Sequence, residues 1–292
     1  MLKILPGIIQ IIQYFIFFQN KTKQNKTKQN KTKQNKTKML STKNHNIRDN
    51  FIQFEEIGHI YTIANQTTYT SVTSLIKSMF HEFDADEVVT KIISSPSMNN
   101  PAYKYFGQNA EKIKKQWADH AKDASDKGTK LHAYIENYYN GFFSMEQNPE
   151  INHFKQFVKD HPHLVAFRTE WMVYYEELQL CGSIDMVFYN TSNNSYEIYD
   201  WKRVREISFE SRKSAILPCL KHLQDSNFFH YSIQLNLYKM ILEKKYDMEI
   251  NALYLINLHP DLDSYLKITV DDLSKDMANI TSWRSTCLSS SS

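Results

Sequence analysis

Apolar and polar positions change rhythm along this chain, and the changes predict its elements. Period-two spacing, rich in β-branched and aromatic side chains, predicts strands over Ala166–Tyr175, Cys181–Asn190 and Tyr196–Lys202. Thr191-Ser192-Asn193-Asn194-Ser195 is turn chemistry, which makes the last two a hairpin. Further strands are expected at Asn251–Leu258 and Tyr265–Val270, with a short hairpin over Phe51–Ile63 turning at Gly58. Helical spacing begins near Thr73 (Leu75, Ile76, Met79, Phe80), with Ser71 or Thr73 as N-cap. It recurs over Asp84–Ser94, Lys104–Asn140, Ile151–Lys159, Phe228–Lys245 and Asp271–Ser285, the second of these broken near Gly107 and at Lys127-Gly128. The order predicts an α/β (α+β) class, with a mixed sheet containing three antiparallel strands and flanked by helices.

The first 38 residues read differently. Met1–Gln19 is apolar but interrupted by Pro6, Gln10 and Gln13, and a Lys-Thr-Lys-Gln-Asn pentapeptide then repeats from Lys21 to Asn35. Such a tract has no apolar side chain to bury and is expected to be disordered. Two readings stand: a dispensable extension upstream of a working start at Met39, or an N-terminal anchor. Residues 39–292 are expected to form one domain with a helical N-terminal part.

Within that domain the hairpin carries the chemistry. Folded about the centre of its loop, it sets Asp185 opposite Asp200, with Lys202 two residues further on the same face. Two carboxylates across an antiparallel pair repel, and a bound cation compensates for that. A solvated Asp-x-Lys face is the competing reading, but Ile198, Tyr199 and Trp201 make this strand apolar on both faces, and charges at its tip need partners. If the preceding strand turns at Glu177-Leu178, Glu170 falls opposite Asp185, and three carboxylates suit a hard divalent ion.

Composition narrows the partners. The 292 residues are 41% hydrophobic and 13% aromatic, which is globular, and carry a net charge of +3. Nine lysines and no acid lie in residues 1–38, so the remainder holds 26 Lys and Arg against 32 Asp and Glu, a net of −6. Whole-domain charge therefore offers no argument for nucleic acid, and a polyanion site needs a local basic patch or metal ions. Cys181, Cys219 and Cys287 lack zinc-site spacing and cannot complete a four-thiolate cluster, which predicts free thiols in a reducing compartment.

Three further features are ambiguous alone. Gly128-Thr129-Lys130-Leu131-His132 opens a helical stretch in which His132 and Glu136 share a face, and His132 is either a ligand or a satisfied structural residue. His230, Gln234 and Tyr238 form a stripe at steps of four that is either functional or core. Arg203 and Arg205, just past Lys202, either meet phosphate or are solvated.

Gly182-Ser183-Ile184-Asp185, Asp200-Trp201-Lys202 and Gln234-Leu235-Asn236-Leu237-Tyr238, preceded by His132, together resemble the PD-(D/E)xK nuclease superfamily and, within it, the RecB-like exonuclease branch. Tyr69-Thr70-Ser71-Val72-Thr73 and Gly128–His132 are similar to phrases in members from bacteriophages and large DNA viruses. The resemblance spans roughly His59 to Pro260 and implies a restriction-endonuclease-like core. It implies Mg²⁺ or Mn²⁺ held by Asp185 and Asp200, the Trp201 carbonyl, and His132 or Glu170. Lys202 would position water or stabilise charge on the phosphorane, and Gln234 and Tyr238 would orient the entering strand. The Trp201 indole is expected on the opposite face, in the core. The cysteine cluster of some relatives is missing, so no iron–sulfur cluster is implied. The implied partner is DNA, single-stranded or with free ends, and any helicase or replication partner would be a separate protein. The expected location is intracellular, in cytoplasm or nucleus, with an N-terminal membrane anchor or organelle targeting as the less favoured reading. A nuclease-like fold retired to nucleic-acid binding or scaffolding is the alternative.

Overall fold

The computed structural model describes residues 39–55 and 58–290. The readings made for residues 1–38 lie outside the described residues. Six strands form one mixed sheet: β3 (Thr70–Ser71), β4 (Leu164–Tyr175), β5 (Leu180–Asn190), β6 (Ser195–Lys202), β7 (Ile250–Asn257) and β8 (Leu266–Val270). The other two strands, β1 (Ile52–Glu55) and β2 (Ile60–Ile63), form a separate antiparallel hairpin. The helices are α1 (Leu40–Lys43), α2 (Val72–Lys77), α3 (Ala85–Ile93), α4 (Ala110–Tyr139), α5 (Pro149–Asp160), α6 (Asn227–Lys245) and α7 (Ser274–Ser290). This is a mixed α/β fold, with a multi-stranded sheet flanked by helices.

β4, β5 and β6 are antiparallel neighbours, as alternation predicts, while β7 runs parallel to β6 after the crossover through α6. The hairpin register also follows the sequence reading, with Met186 opposite Tyr199 and Val187 opposite Ile198. The ladder ends there, one pair short of Asp185 and Asp200. Further along β5, β3 pairs in parallel with Leu180 and Cys181. β5 therefore loses its β6 partner over Gly182–Asp185, and the sheet forks. On the other flank, Thr169 opposes Met186 and Trp171 opposes Ile184, which brackets Glu170 against Asp185 as expected. The turn between β4 and β5 is a short 3₁₀ segment, Glu176–Leu178.

Two apolar layers cover the sheet. One joins α2, α6 and α7 residues (Leu75, Ile233, Leu237, Ile280) to Ile184, Val187 and Ile198. The other joins α4 and α5 residues (Leu131, Ile135, Phe154, Phe157) to Met186, Phe188, Tyr199 and Trp201. Tyr199 and Trp201 thus face α5, which leaves Asp200 and Lys202 facing α6.

Local chemistry sets the helix starts. Ser71 accepts from the Ser74 N–H and caps α2, and Asp84 accepts from the Asp86 and Glu87 N–H groups to cap α3. The expected break at Gly107 is real: its φ is +68°, and α4 starts only after Asn109. The expected break at Lys127-Gly128 does not occur, and α4 runs unbroken for 30 residues. Helical glycine costs only about 1 kcal/mol, and the i,i+4 pairs Lys122–Asp126 and Asp123–Lys127 support that stretch. Among the described residues, no helix is long and apolar enough to cross a membrane.

Candidate metal centre

Asp185 sits at the fork, where its backbone has no β6 partner. Its side chain substitutes: Oδ2 accepts the Trp201 N–H at 2.9 Å. The next shared atom is the Trp201 carbonyl oxygen, 3.0 Å from His132 Nε2. The other His132 nitrogen, Nδ1, is 3.3 Å from Glu170 Oε1 and 3.7 Å from Asp185 Oδ2. Ligand atoms of His132, Glu170 and Asp185 lie within 4.8 Å of one another, a cluster able to hold a divalent cation. A helix supplies the histidine and two neighbouring strands the acids.

Glu170 reaches the cluster through an unusual backbone. Its φ is +41°, a left-handed conformation that non-glycine residues seldom adopt. Ser183, two residues before Asp185 on β5, donates to Glu170 Oε2 at 3.1 Å. The sequence reading gave Ser183 no role, although same-face spacing on the strand carries that signal.

Asp200 lies beside the cluster and is 2% exposed. Its Oδ1 accepts from Gln234 Nε2 at 3.1 Å, and its Oδ2 lies 2.5 Å from Lys202 Nζ. That second contact is a tight buried ion pair, in which the Lys202 ammonium partners the second carboxylate oxygen. Burial followed by the neighbouring Asp185 charge pushes the Asp200 carboxyl up to about 6, against the opposing pull of Lys202. Burial also raises Asp185 above the usual carboxylate range.

Lys202 is held from two sides. Besides Asp200, its Nζ lies 4.4 Å from the centroid of the Tyr231 ring. Burial disfavours its charge, but Asp200 and Asp185 outweigh that and raise its pKa. Tyr231 was absent from the sequence reading, yet it lies three residues before Gln234 and so shares its face of α6.

The remaining candidates separate. Gln234 binds the Asp200 carboxylate, and the indole of Trp201 lies in the core against Phe154 and Phe157, as expected. Tyr238 is 3% exposed, with its hydroxyl over Gly182. Arg203 donates to Glu150 at 2.8 Å and both side chains are largely covered, so its guanidinium is committed to a structural ion pair. Arg205 is solvated, with only a 3.9 Å approach to Asp261.

Gly182 is the position where the site tolerates no side chain. A Cβ there would lie 2.6 Å from Tyr238 Oη and 2.9 Å from Cε1. Gly182→Ala is expected to cost about 1–3 kcal/mol in urea denaturation. Adding Tyr238→Phe, which removes the nearest atom, should recover part of that loss.

In the metal-free protein, His132 plugs the cluster as an imidazolium. Burial opposes its charge, but Asp185, Glu170 and Asp200 prevail and raise its pKa to about 9. A raised folded pKa contributes stability that is fully present below the ordinary value of about 6.5 and is lost as pH rises through about 9. Thermal melts in EDTA should therefore fall across that window, and His132→Ala should flatten the fall. Mn²⁺ should raise Tm more at pH 8 than at pH 6, because the ion and the proton compete for the same imidazole.

The donor set suits a cation on its chemistry. Two carboxylates and a carbonyl favour Mg²⁺, Mn²⁺ or Ca²⁺, and an imidazole shifts preference toward the transition-metal side. Family models of known proteins give no match to this chain, and no curated protein has a significantly similar sequence.

Proposed function

We propose that this chain is a divalent-metal-dependent nuclease that hydrolyses DNA phosphodiester bonds, built on the PD-(D/E)xK plan and nearest to its RecB-like exonuclease branch. The observation that carries the reading is the convergence of the motif residues: Asp185, Glu170 and His132 in one cluster, with Asp200 and Lys202 beside it at a fork in the sheet. A retired site has no reason to keep buried acids crowded together: burial followed by Glu170 raises the Asp185 carboxyl, and burial followed by Asp185 raises that of Asp200.

Asp185 and Glu170, with His132 and the Trp201 carbonyl, would hold Mg²⁺ or Mn²⁺, and the neighbouring Asp200 carboxylate would complete the set. The bound ion supplies Lewis-acid polarisation of a phosphoryl oxygen and lowers the pKa of a water. Lys202, fixed by Asp200 and the Tyr231 ring, presents a compact positive charge to a developing phosphorane oxygen or to the attacking water. Gln234 holds the Asp200 carboxylate in position, and Ser183 does the same for Glu170. Proton release from His132 accompanies loading of the site at neutral pH.

The test is incubation of residues 39–292 with end-labelled single- and double-stranded DNA. Acid-soluble nucleotides should appear with Mg²⁺ or Mn²⁺ and not with EDTA. No release on any of these substrates, with a protein that binds Mn²⁺, would overturn the reading.

A further inference from the structure

A concave site lies one turn of α6 from Gln234, the residue that touches Asp200. On α6, Gln234 touches Asp200 and Tyr231 carries Lys202, while His230, four residues before Gln234, lines a pocket of about 670 Å³. Lys77, Phe80, His81, Phe83 and Ile216 line it as well. Four helical residues rise about 6 Å, a distance on the scale of one nucleotide step.

The pocket is built by three segments that fix one another. The Ile216 N–H donates to the Met79 carbonyl at 2.8 Å, which ties the segment before α6 to the end of α2. Asp225 accepts from the His81 N–H at 3.3 Å and pairs with His230 Nε2 at 2.9 Å, which orients the imidazole. The Phe80 ring backs that imidazole at 4.1 Å between centroids.

Its walls expose what a folded protein ordinarily covers. Phe83 is 70% exposed and Ile216 46%. Lys77 is exposed on the same pocket and, among the described residues, makes no ion pair within 4 Å. Arg212 and Lys213 are exposed on the segment that carries Ile216. Glu82 also lines the pocket, so recognition rests on placed donors and apolar rings more than on net charge. Exposed aromatic surface beside a mobile ammonium suits a base and its phosphate, since every base offers a π-face.

We propose that this pocket is a nucleotide subsite, which takes one base and phosphate of a single-stranded DNA adjacent to the scissile bond. Phe83 stacks the base and Ile216 packs against it, Lys77 meets its phosphate, and the oriented His230 ring separates this nucleotide from the one at the metal. This inference rests on the nuclease reading and adds the location at which the strand is gripped.

The experiment pairs binding with cleavage. A fluorescein-labelled single-stranded oligodeoxynucleotide is titrated in Ca²⁺, and its cleavage is followed in Mg²⁺, for the parent, Phe83→Ala and Lys77→Ala. Both positions are exposed, so the variants should fold as the parent does. Kd and KM should each rise about tenfold, while kcat at saturation stays unchanged. An abasic residue walked along the oligonucleotide should weaken the parent about tenfold at one position and weaken Phe83→Ala no further there. Unchanged Kd and KM in both variants, or an abasic effect that multiplies with Phe83→Ala at every position, would overturn the subsite and leave the nuclease reading intact. A parent that neither binds nor cleaves would overturn the nuclease reading itself, and the subsite with it.

Discussion

Asp185→Ala is expected to slow metal-dependent cleavage by about a thousandfold or more, equivalent to about 4 kcal/mol of barrier. Asp185 contributes twice at the fork: it belongs to the His132–Glu170–Asp185 cluster, and it accepts the Trp201 N–H. Alanine removes both functions, so a second variant separates them. Asp185→Asn keeps an oxygen to receive the Trp201 N–H but removes the charge that a cation needs. It should fold at least as stably as the parent in EDTA, because burial already disfavours the carboxylate charge there. Its Mn²⁺ affinity, read by calorimetry, should nevertheless collapse together with turnover. Asp200→Ala should behave similarly in cleavage, since it removes the buried carboxylate beside the cluster and also frees Lys202. Near-parental turnover in either alanine variant would show that the metal assignment is wrong.

Lys202→Ala should leave the cation and the DNA bound while kcat collapses, again by about a thousandfold, because in the proposed mechanism Lys202 supplies charge to the reaction rather than a ligand to the ion. Its ammonium is held between Asp200 at 2.5 Å and the Tyr231 ring at 4.4 Å. Lys202→Arg should rescue poorly, because a planar guanidinium cannot put a compact charge at the same point between a carboxylate and a ring. Single-turnover cleavage of a labelled oligonucleotide, run beside binding in Ca²⁺, separates these effects. Equal cleavage rates for Lys202→Ala and the parent would contradict a catalytic lysine and reduce this ion pair to a structural one.

The sequence by itself determined the long strands of the sheet, because apolar alternation and turn residues are local properties. The hairpin register came from folding the chain about the centre of its loop; both faces of β5 and β6 are apolar, so alternation alone would accept a slip, and the pairing of Val187 with Ile198 decides it. One helix cap was legible too: of the two candidates Ser71 and Thr73, Ser71 takes the role by satisfying an N–H three residues away. The candidate residues Asp185, Asp200, Lys202, Glu170 and His132 were legible because residue type and register are local properties. Only the tertiary structure decided how they are used. The end of the ladder before Asp185, and the turn of its side chain to the Trp201 N–H, depend on β3 taking over the edge of β5 from a distant part of the chain. Gln234 on Asp200, Tyr231 beneath Lys202 and Arg203 on Glu150 are contacts between elements more than 25 residues apart. Nothing in a strand's or helix's own period states which neighbouring layer will face it. Periodicity fixes a face, and packing chooses what that face meets.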